Sequence, residues 1–159
     1  MKKSKIPTLN ALALLAIGTT NSFDVLAGDL VVADGWARET PPGKSMTAAY
    51  GRLHNSGDEA LIVTGVSAVA AAHSSLHETR IERDRSTMRP VSNLTIAPGE
   101  QVELVPGGMH IMLMKLDAPL VEGESIDICF KLENNEDTCS AFPIAKRKTM
   151  GHKHQRNGH

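Results

Sequence analysis

Several features that mark common classes of protein are missing from this 159-residue sequence. Beyond its N-terminal region it has no apolar run long enough to cross a bilayer core of ~30 Å. It shows no sustained 3.6-residue periodicity, internal repeat or low-complexity segment, so nothing in it favours a helical or repetitive architecture. The hydrolytic patterns His-Glu-x-x-His and Gly-x-Ser-x-Gly do not occur either. We therefore expect a single domain without stable membrane insertion, and we do not expect an enzyme.

The N-terminal residues have the layout of a secretory signal peptide. Lys2, Lys3 and Lys5 supply a positive start, residues 6–20 form a short apolar run, and Val25-Leu26-Ala27 offers a small-residue cleavage site. We predict that residues 1–27 are a signal peptide, cut after Ala27, and that the protein is periplasmic. An uncleaved N-terminal anchor is the alternative.

Charge divides the rest of the chain into a body and a tail. Residues 28–141 hold 9 Lys and Arg against 17 Asp and Glu, whereas residues 142–159 hold 5 basic side chains and no acidic one. An acidic body argues against nucleic acid as a partner. We assign residues 28–145 to one folded domain, expected to be a monomer, and residues 146–159 to a flexible basic tail, because they lack an apolar pattern.

The sequence contains two cysteines, Cys129 and Cys139, and a secreted chain meets an oxidising compartment in which such a pair is expected to bridge. Apolar residues alternate on both sides of a turn at 133–136. With Asn134 at the centre of this turn, the two cysteines oppose each other with Cβ atoms ~4.5–5.5 Å apart. We predict a structural disulfide, formed after a modest adjustment of this spacing, rather than free thiols.

Short runs of alternating β-branched and polar residues make up most of the body, with turn signals about every eight to twelve residues. The turn signals include residues 41–43, 55–58 and 97–99. This pattern is typical of an all-β Greek-key sandwich or small barrel of about nine short strands. Residues 68–72 are small and apolar, and both a helical turn and a buried crossover fit them.

Two histidines and two methionines occur in a pattern that strands can bring together. His77 and Met88 are separated by ten residues, and His110 and Met112 by one. Residues two apart on a strand project from the same face, so we expect His110 and Met112 to lie side by side. A hairpin centred between residues 82 and 83 would place His77 directly opposite Met88.

These four side chains offer two imidazoles and two thioethers, a donor set that suits a soft monovalent ion, Cu(I) above all. Taken singly, a methionine in a β-protein is more often a core filler, and a lone histidine is more often solvated. We accordingly interpret Met46 and Met109 as packing residues, and Met114, which shares the His110 face, as a neighbour of the site or a core residue. The metal prediction rests on the spacing of the four residues taken together.

The spacing His77-x10-Met88-x21-His110-x-Met112 resembles the ligand signature of the periplasmic PCu(A)C copper chaperones. The supporting segments are Asp34-Gly35-Trp36-Ala37-Arg38, Pro41-Pro42-Gly43, Leu76-His77-Glu78-Thr79, Met88-Arg89-Pro90-Val91, Ile96-Ala97-Pro98-Gly99 and Pro106-Gly107-Gly108-Met109-His110-Ile111-Met112-Leu113. The sequence departs from the family pattern at Glu78 and at Ser86-Thr87, neither of which removes a ligand.

The resemblance spans about residues 30–145 and implies a cupredoxin-like β-sandwich that binds Cu(I) through these four residues. It also implies transfer of the copper to another protein. In that family the acceptor is the copper centre of cytochrome c oxidase, often together with a second copper chaperone.

Other functions are compatible with parts of this pattern. A periplasmic copper storage or tolerance protein would use the same site, and the sequence does not separate it from a chaperone. A blue-copper electron carrier needs a cysteine thiolate near a histidine, but the first histidine after Cys129 is His152. Zinc takes cysteine, histidine and carboxylate ligands rather than thioethers. A copper-free scaffold module is the plainest alternative.

The tail carries three histidines within a short stretch, His152, His154 and His159. Histidine-rich tracts bind metals, and imidazole suits Cu(II). The tail thus predicts an accessory Cu(II) site, with a solvated, metal-free tail as the alternative.

Overall fold

A computed structural model of the protein describes residues 29–82, 85–134 and 136–146, and within these ranges it contains ten β-strands and no helix. The strands are β1 (Leu30–Arg38), β2 (Met46–Asn55), β3 (Leu61–Ala68), β4 (Ala71–Glu82), β5 (Arg85–Val91), β6 (Leu94–Ile96), β7 (Gln101–Leu104), β8 (Met109–Leu116), β9 (Ser125–Leu132) and β10 (Asp137–Ala145). The described part of the chain has no helix that is long and apolar enough to cross a membrane. The predicted signal peptide and the three tail histidines lie outside the described residues.

The strands form one hydrogen-bonded sheet in the order β5-β4-β8-β2-β1-β10-β9-β3-β6, with β7 paired to β2. Neighbouring strands run antiparallel except β1 and β10, which pair in parallel. Buried side chains from both ends of this order, such as Leu76 in β4 and Val63 in β3, belong to a single core cluster. The sheet therefore folds around one core, and the predicted all-β architecture is confirmed, with ten strands rather than about nine.

Strand periodicity explains which face of each element meets this core. In β8, Ile111 and Leu113 are fully buried while Met112 between them is half-buried on the other face. Residues 69 and 70 form a turn between β3 and β4, which are not hydrogen-bonded neighbours in the sheet. The segment 68–72 is therefore a short crossover rather than a helical turn, but it is not buried, because Val69 is 96% exposed.

The β9–β10 hairpin has the register that the sequence predicts. Cys139 lies directly opposite Cys129, and the two form a disulfide bond. Phe130 and Phe142, one on each strand, are fully buried in the core. The predicted disulfide is confirmed, and the described residues contain no free cysteine.

An irregularity in β1 brings two aromatic rings to the face of the sheet that carries His110. The pairing of β1 with β2 shifts between Ala33 and Trp36, where Asp34 adopts a positive φ of 51°. Such a bulge re-aims the side chains that follow it. Trp36 consequently lies opposite Tyr50 with ring centroids 4.7 Å apart, and the Tyr50 ring lies 6.4 Å from the His110 ring.

Candidate metal centre

β4 and β8 are neighbouring antiparallel strands, and their register places His77 directly opposite His110. The two imidazole centroids are 6.2 Å apart, and the ring planes differ by 25°. Met112 lies on the same face as His110, because the fully buried Ile111 between them points into the core. Two imidazoles and one thioether therefore meet on one face of the sheet.

The turn before β8 fixes the orientation of the His110 ring. The Gly108 N–H donates to the Val105 carbonyl at 3.0 Å, and Gly107 has a φ of 84°. With Pro106 before it, Gly107 occupies the position of a type II turn that requires positive φ. The turn presents the Gly108 carbonyl to His110, and His110 Nδ1 lies 2.9 Å from that oxygen.

This hydrogen bond decides which ring nitrogen of His110 can bind a metal. A carbonyl oxygen only accepts hydrogen bonds, so His110 Nδ1 carries the proton and donates it. The lone pair of a neutral imidazole is then on Nε2, which is free for a metal ion. His110 is 5% exposed, so the ring is held by its surroundings as well as by the Gly108 carbonyl.

His77 is held less firmly. It is half-buried, and its Nδ1 lies 3.4 Å from the Ser75 hydroxyl, which is a long contact for a hydrogen bond. Of the two opposed imidazoles, His110 is thus the fixed one and His77 the more accessible one.

The predicted pairing of His77 with Met88 is wrong by two residues. In the β4–β5 hairpin, His77 lies opposite Pro90, and Met88 lies opposite Thr79. Residue faces alternate with a period of two, so this shift leaves Met88 on the same face as His77. The sequence could not set this register because β5 contributes no buried side chain that would favour one alignment over the other.

A concave pocket of about 350 Å³ opens beside His110. Three of the four predicted ligands, Met88, His110 and Met112, line it together with Tyr50. His77 is not among the lining residues, but its ring stacks against that of His110. The fold therefore gathers all four predicted ligands in one region.

Met46 also belongs to this region, which its sequence pattern did not indicate. The prediction that Met46 is a packing residue is wrong, because its side chain is 48% exposed and lines the same pocket. Met46, Ala48 and Tyr50 lie on one face of β2, because alternate residues of a strand project from the same side, and the sequence shows this spacing. Which face of β2 meets the core was not visible there. Met109, by contrast, packs against the core as predicted.

The donors available in this region are soft ones. No group of three or more His, Cys, Asp or Glu side chains in residues 29–82, 85–134 and 136–146 could hold a metal ion. The two cysteines are joined in the disulfide. The donors that the fold brings together here are imidazoles and thioethers, a set that suits a soft metal ion better than zinc.

Comparison with known proteins places the chain in a family. Residues 30–144 match the model of the LpqE-like family, described as "Putative lipoprotein LpqE-like". The chain is 35% identical over 119 residues to "Putative lipoprotein Lxx21020" of Leifsonia xyli subsp. xyli (strain CTCB07), a match that covers 74% of this chain and 70% of that relative.

Two solved structures share the fold. The apo PCuAC domain from PmoF1 has a TM-score of 0.63 at 19% identity, covering 76% of this chain and 96% of the domain. The Cu(I) form of DR1885 from Deinococcus radiodurans has a TM-score of 0.59 at 30% identity, covering 76% of this chain and 83% of that one. The predicted likeness to PCuAC domains is therefore confirmed at the level of the fold. Because the family model spans most of its length, this chain belongs to the LpqE-like family.

Proposed function

We propose that this protein is an extracytoplasmic copper carrier that binds Cu(I) through His77, Met88, His110 and Met112 and passes it to an acceptor protein. The observation that carries the proposal is the arrangement of His77, His110 and Met112 on one face, with His110 Nε2 left free by the bond from Nδ1 to the Gly108 carbonyl.

The chemistry of the donors favours carriage over electron transfer. Imidazole and thioether groups bind Cu(I) as neutral ligands, so no thiol has to lose a proton. A stronger donor on an acceptor, a thiolate or an imidazole, can replace the thioethers one at a time. A blue-copper site would need a cysteine thiolate, whereas Cys129 and Cys139 are consumed in the disulfide.

The exposure of Met88 gives an acceptor a route to the metal. Met88 is 59% exposed and lies on β5, the outermost strand at one end of the sheet. His110 is buried. We infer that the acceptor engages the Met88 side first and that His110 is the last ligand to release the ion.

The related proteins support this proposal in two respects. One structural neighbour is a Cu(I) form of DR1885, at 30% identity to this chain. The family description and the relative from Leifsonia xyli both name a lipoprotein, which supports a location outside the cytoplasm. We propose that residues 1–27 are the signal peptide and that the location is the periplasm. We propose the copper centre of cytochrome c oxidase, or a second copper chaperone, as the acceptor.

A Cu(I) titration against a competing chelator tests the four ligands. We expect Met88→Leu and Met112→Leu each to weaken Cu(I) binding by at least about tenfold, since changes in the outer shell alone already cost 10–100-fold. Met109→Leu is the matched control, because Met109 lies next to His110 on β8 but packs against the core. Unchanged affinity in both ligand variants would show that the metal binds elsewhere.

A transfer experiment separates a carrier from a storage or tolerance protein, which would use the same four ligands. The Cu(I)-loaded protein is mixed with the apo copper domain of an oxidase subunit, and the two are separated and assayed for copper. Movement of most of the copper to the oxidase domain supports delivery. Retention by this protein, with full occupancy of the four ligands, supports storage.

We also propose that His152, His154 and His159 form the accessory Cu(II) site expected from the sequence. Its test compares the Cu(II) stoichiometry of the full chain with that of a chain ending at Ala145. Loss of one Cu(II) on truncation supports the accessory site, and an unchanged stoichiometry rules it out.

A further inference from the structure

A second set of soft donors lies further along the same face of the sheet. The register of β8 with its two neighbours places Met114 opposite His73 on β4 and opposite Met46 on β2. The three side chains form one row across three adjacent strands. They include one imidazole and two thioethers, and none of the four ligands proposed above.

The two methionines of this row, Met46 and Met114, are more exposed than methionines that fill a core. Met46 is 48% exposed, His73 is exposed and Met114 is half-buried. The core of the described domain is complete without Met46 and Met114, since neither belongs to the core cluster or packs against it. The thioethers are therefore accessible to an ion from solvent rather than consumed in packing.

The row has the right width for one ion. Opposed side chains on neighbouring strands have Cβ atoms ~4.5–5.5 Å apart, so His73 and Met46 flank Met114 with Cβ atoms roughly 10 Å from each other. An imidazole and a thioether are both long enough to reach an ion near the centre of such a span through metal bonds of ~2.0–2.3 Å. An ion above Met114 can thus contact all three side chains.

We propose that His73, Met114 and Met46 form a second binding site for a soft monovalent metal ion such as Cu(I). The site is independent of the first, because it uses no ligand of the proposed His77, Met88, His110 and Met112 centre. The donor set selects the class of ion, since thioethers favour soft ions and no carboxylate or thiolate takes part.

The position of this second site suggests how it relates to the first. Met112 and Met114 are two residues apart on β8, about 6.8 Å along the strand, and the Met46 side chain lines the same pocket as Met112. Met46 therefore borders the pocket of the first site and is also the register partner of Met114 in the second. An ion held at the second site lies one step from the first.

A silver titration followed by NMR tests the second site in the full mature chain, with 13C-methyl-labelled methionine and 15N-labelled histidine. Ag(I) is a soft, diamagnetic probe that does not change oxidation state under these conditions. We expect the Met88 and Met112 methyl signals to shift with the first equivalent and those of Met46 and Met114 with a later one. Met114→Leu is expected to weaken the later phase at least about tenfold and to abolish the shift of the His73 imidazole, while Met109→Leu changes neither phase.

Two outcomes overturn the proposal. One is a Met46 signal that moves with the first equivalent in step with Met88 and Met112, which would make Met46 a ligand of the first site. The other is a pair of Met46 and Met114 signals that stay fixed through several equivalents. The double variant Met88→Leu/Met112→Leu distinguishes the two sites: persistence of the Met46 and Met114 shifts there supports the second site even if the first is wrong.

Discussion

The β4–β5 and β9–β10 hairpins are both antiparallel ribbons, but their registers are fixed by different means. In β9–β10, buried side chains such as Ile128 and Phe142 alternate along both strands, and the Cys129–Cys139 bond joins them. Of the described residues in β4 and β5, Leu76 alone is buried. One hairpin is thus anchored by the core and a covalent bond, and the other by its neighbour β8.

This difference matters because the weakly anchored hairpin carries two of the proposed ligands, His77 and Met88. A shift of two residues in the β4–β5 register would keep every side chain on its face and would change the buried apolar area little. The alignment of His77 with His110 depends on the pairing of β4 with β8. The protein therefore combines a hairpin fixed by the core and a disulfide with an edge hairpin that has one buried side chain among its described residues, and the proposed ligands His77 and Met88 lie on the edge hairpin.

The largest effect should come from the same substitution made in both hairpins. Ile128 in β9 is fully buried, whereas Ile81 in β4 is 79% exposed. We expect Ile128→Ala to lower the free energy of unfolding by about 2–5 kcal/mol and Ile81→Ala to lower it by less than about 1 kcal/mol. Urea denaturation measures both. Equal losses in the two variants would contradict the contrast between the hairpins.

The disulfide should have the next largest effect, on stability alone. Cys129 and Cys139 are 10 residues apart, and closing a loop of this length in the unfolded chain corresponds to about 2–3 kcal/mol. We expect Cys129→Ser/Cys139→Ser to lose this amount in denaturation while Cu(I) affinity, measured by chelator competition, is unchanged. Reduced wild-type protein is the control. A large loss of Cu(I) affinity in the double variant would show that the β9–β10 hairpin contributes to metal binding.

A pair of turn glycines separates backbone strain from effects on the site. Gly107 and Gly99 have φ values of 84° and 72°, and no atom beyond the adjacent residues of the chain lies within 4 Å of a Cβ placed on either. Alanine at each position should cost about 1–2 kcal/mol through left-handed strain alone. Only Gly107→Ala should also weaken Cu(I) binding, because Gly107 precedes the Gly108 carbonyl that orients His110. Equal Cu(I) affinities in the two variants would mean that this turn does not position the ring.

The smallest effect concerns an ion pair at the end of β10. Lys146 Nζ lies 3.1 Å from Glu122 Oε2. The hydrogen bond from Lys146 lowers the pKa of Glu122, and the same bond raises the pKa of Lys146. The contribution of Glu122 to stability is therefore present above the usual carboxyl pKa and is lost as the pH falls through its lowered pKa. The contribution of Lys146 is lost only as the pH rises through its raised pKa.

Because both side chains are exposed to solvent, Glu122→Gln should change the melting temperature by an amount close to experimental error at neutral pH. The difference from wild type should shrink as the pH falls from neutral through the lowered pKa of Glu122, because the protonated carboxyl, like the glutamine amide, carries no charge. Thermal melts across this range measure it, with Glu124→Gln, an exposed neighbour, as control. A difference that grew toward acid pH would have the wrong sign for this ion pair.

Some features of the fold and of the candidate site were predictable from the sequence, and others were not. The faces of β8 and the opposition of Cys129 and Cys139 followed from alternation, because buried residues on those strands fix both phase and register. The alignment of His77 with Pro90 rather than Met88, and the exposure of Met46, did not follow. The register of His77 was not predictable because β5 has no buried side chain to fix it. The exposure of Met46 was not predictable because it depends on the pairing of β2 with β8, which is distant in sequence.

Alone, the sequence determined that this is an all-β protein with a bridged hairpin and that His110 and Met112 project side by side. These features depend on the two-residue period of a strand, which is a local property. Only the tertiary structure decided that β8 lies between β4 and β2, so that His77 meets His110 and Met46 meets Met114. The order of strands is set by burial of the whole core, and periodicity specifies the face of a side chain but not the strand beside it.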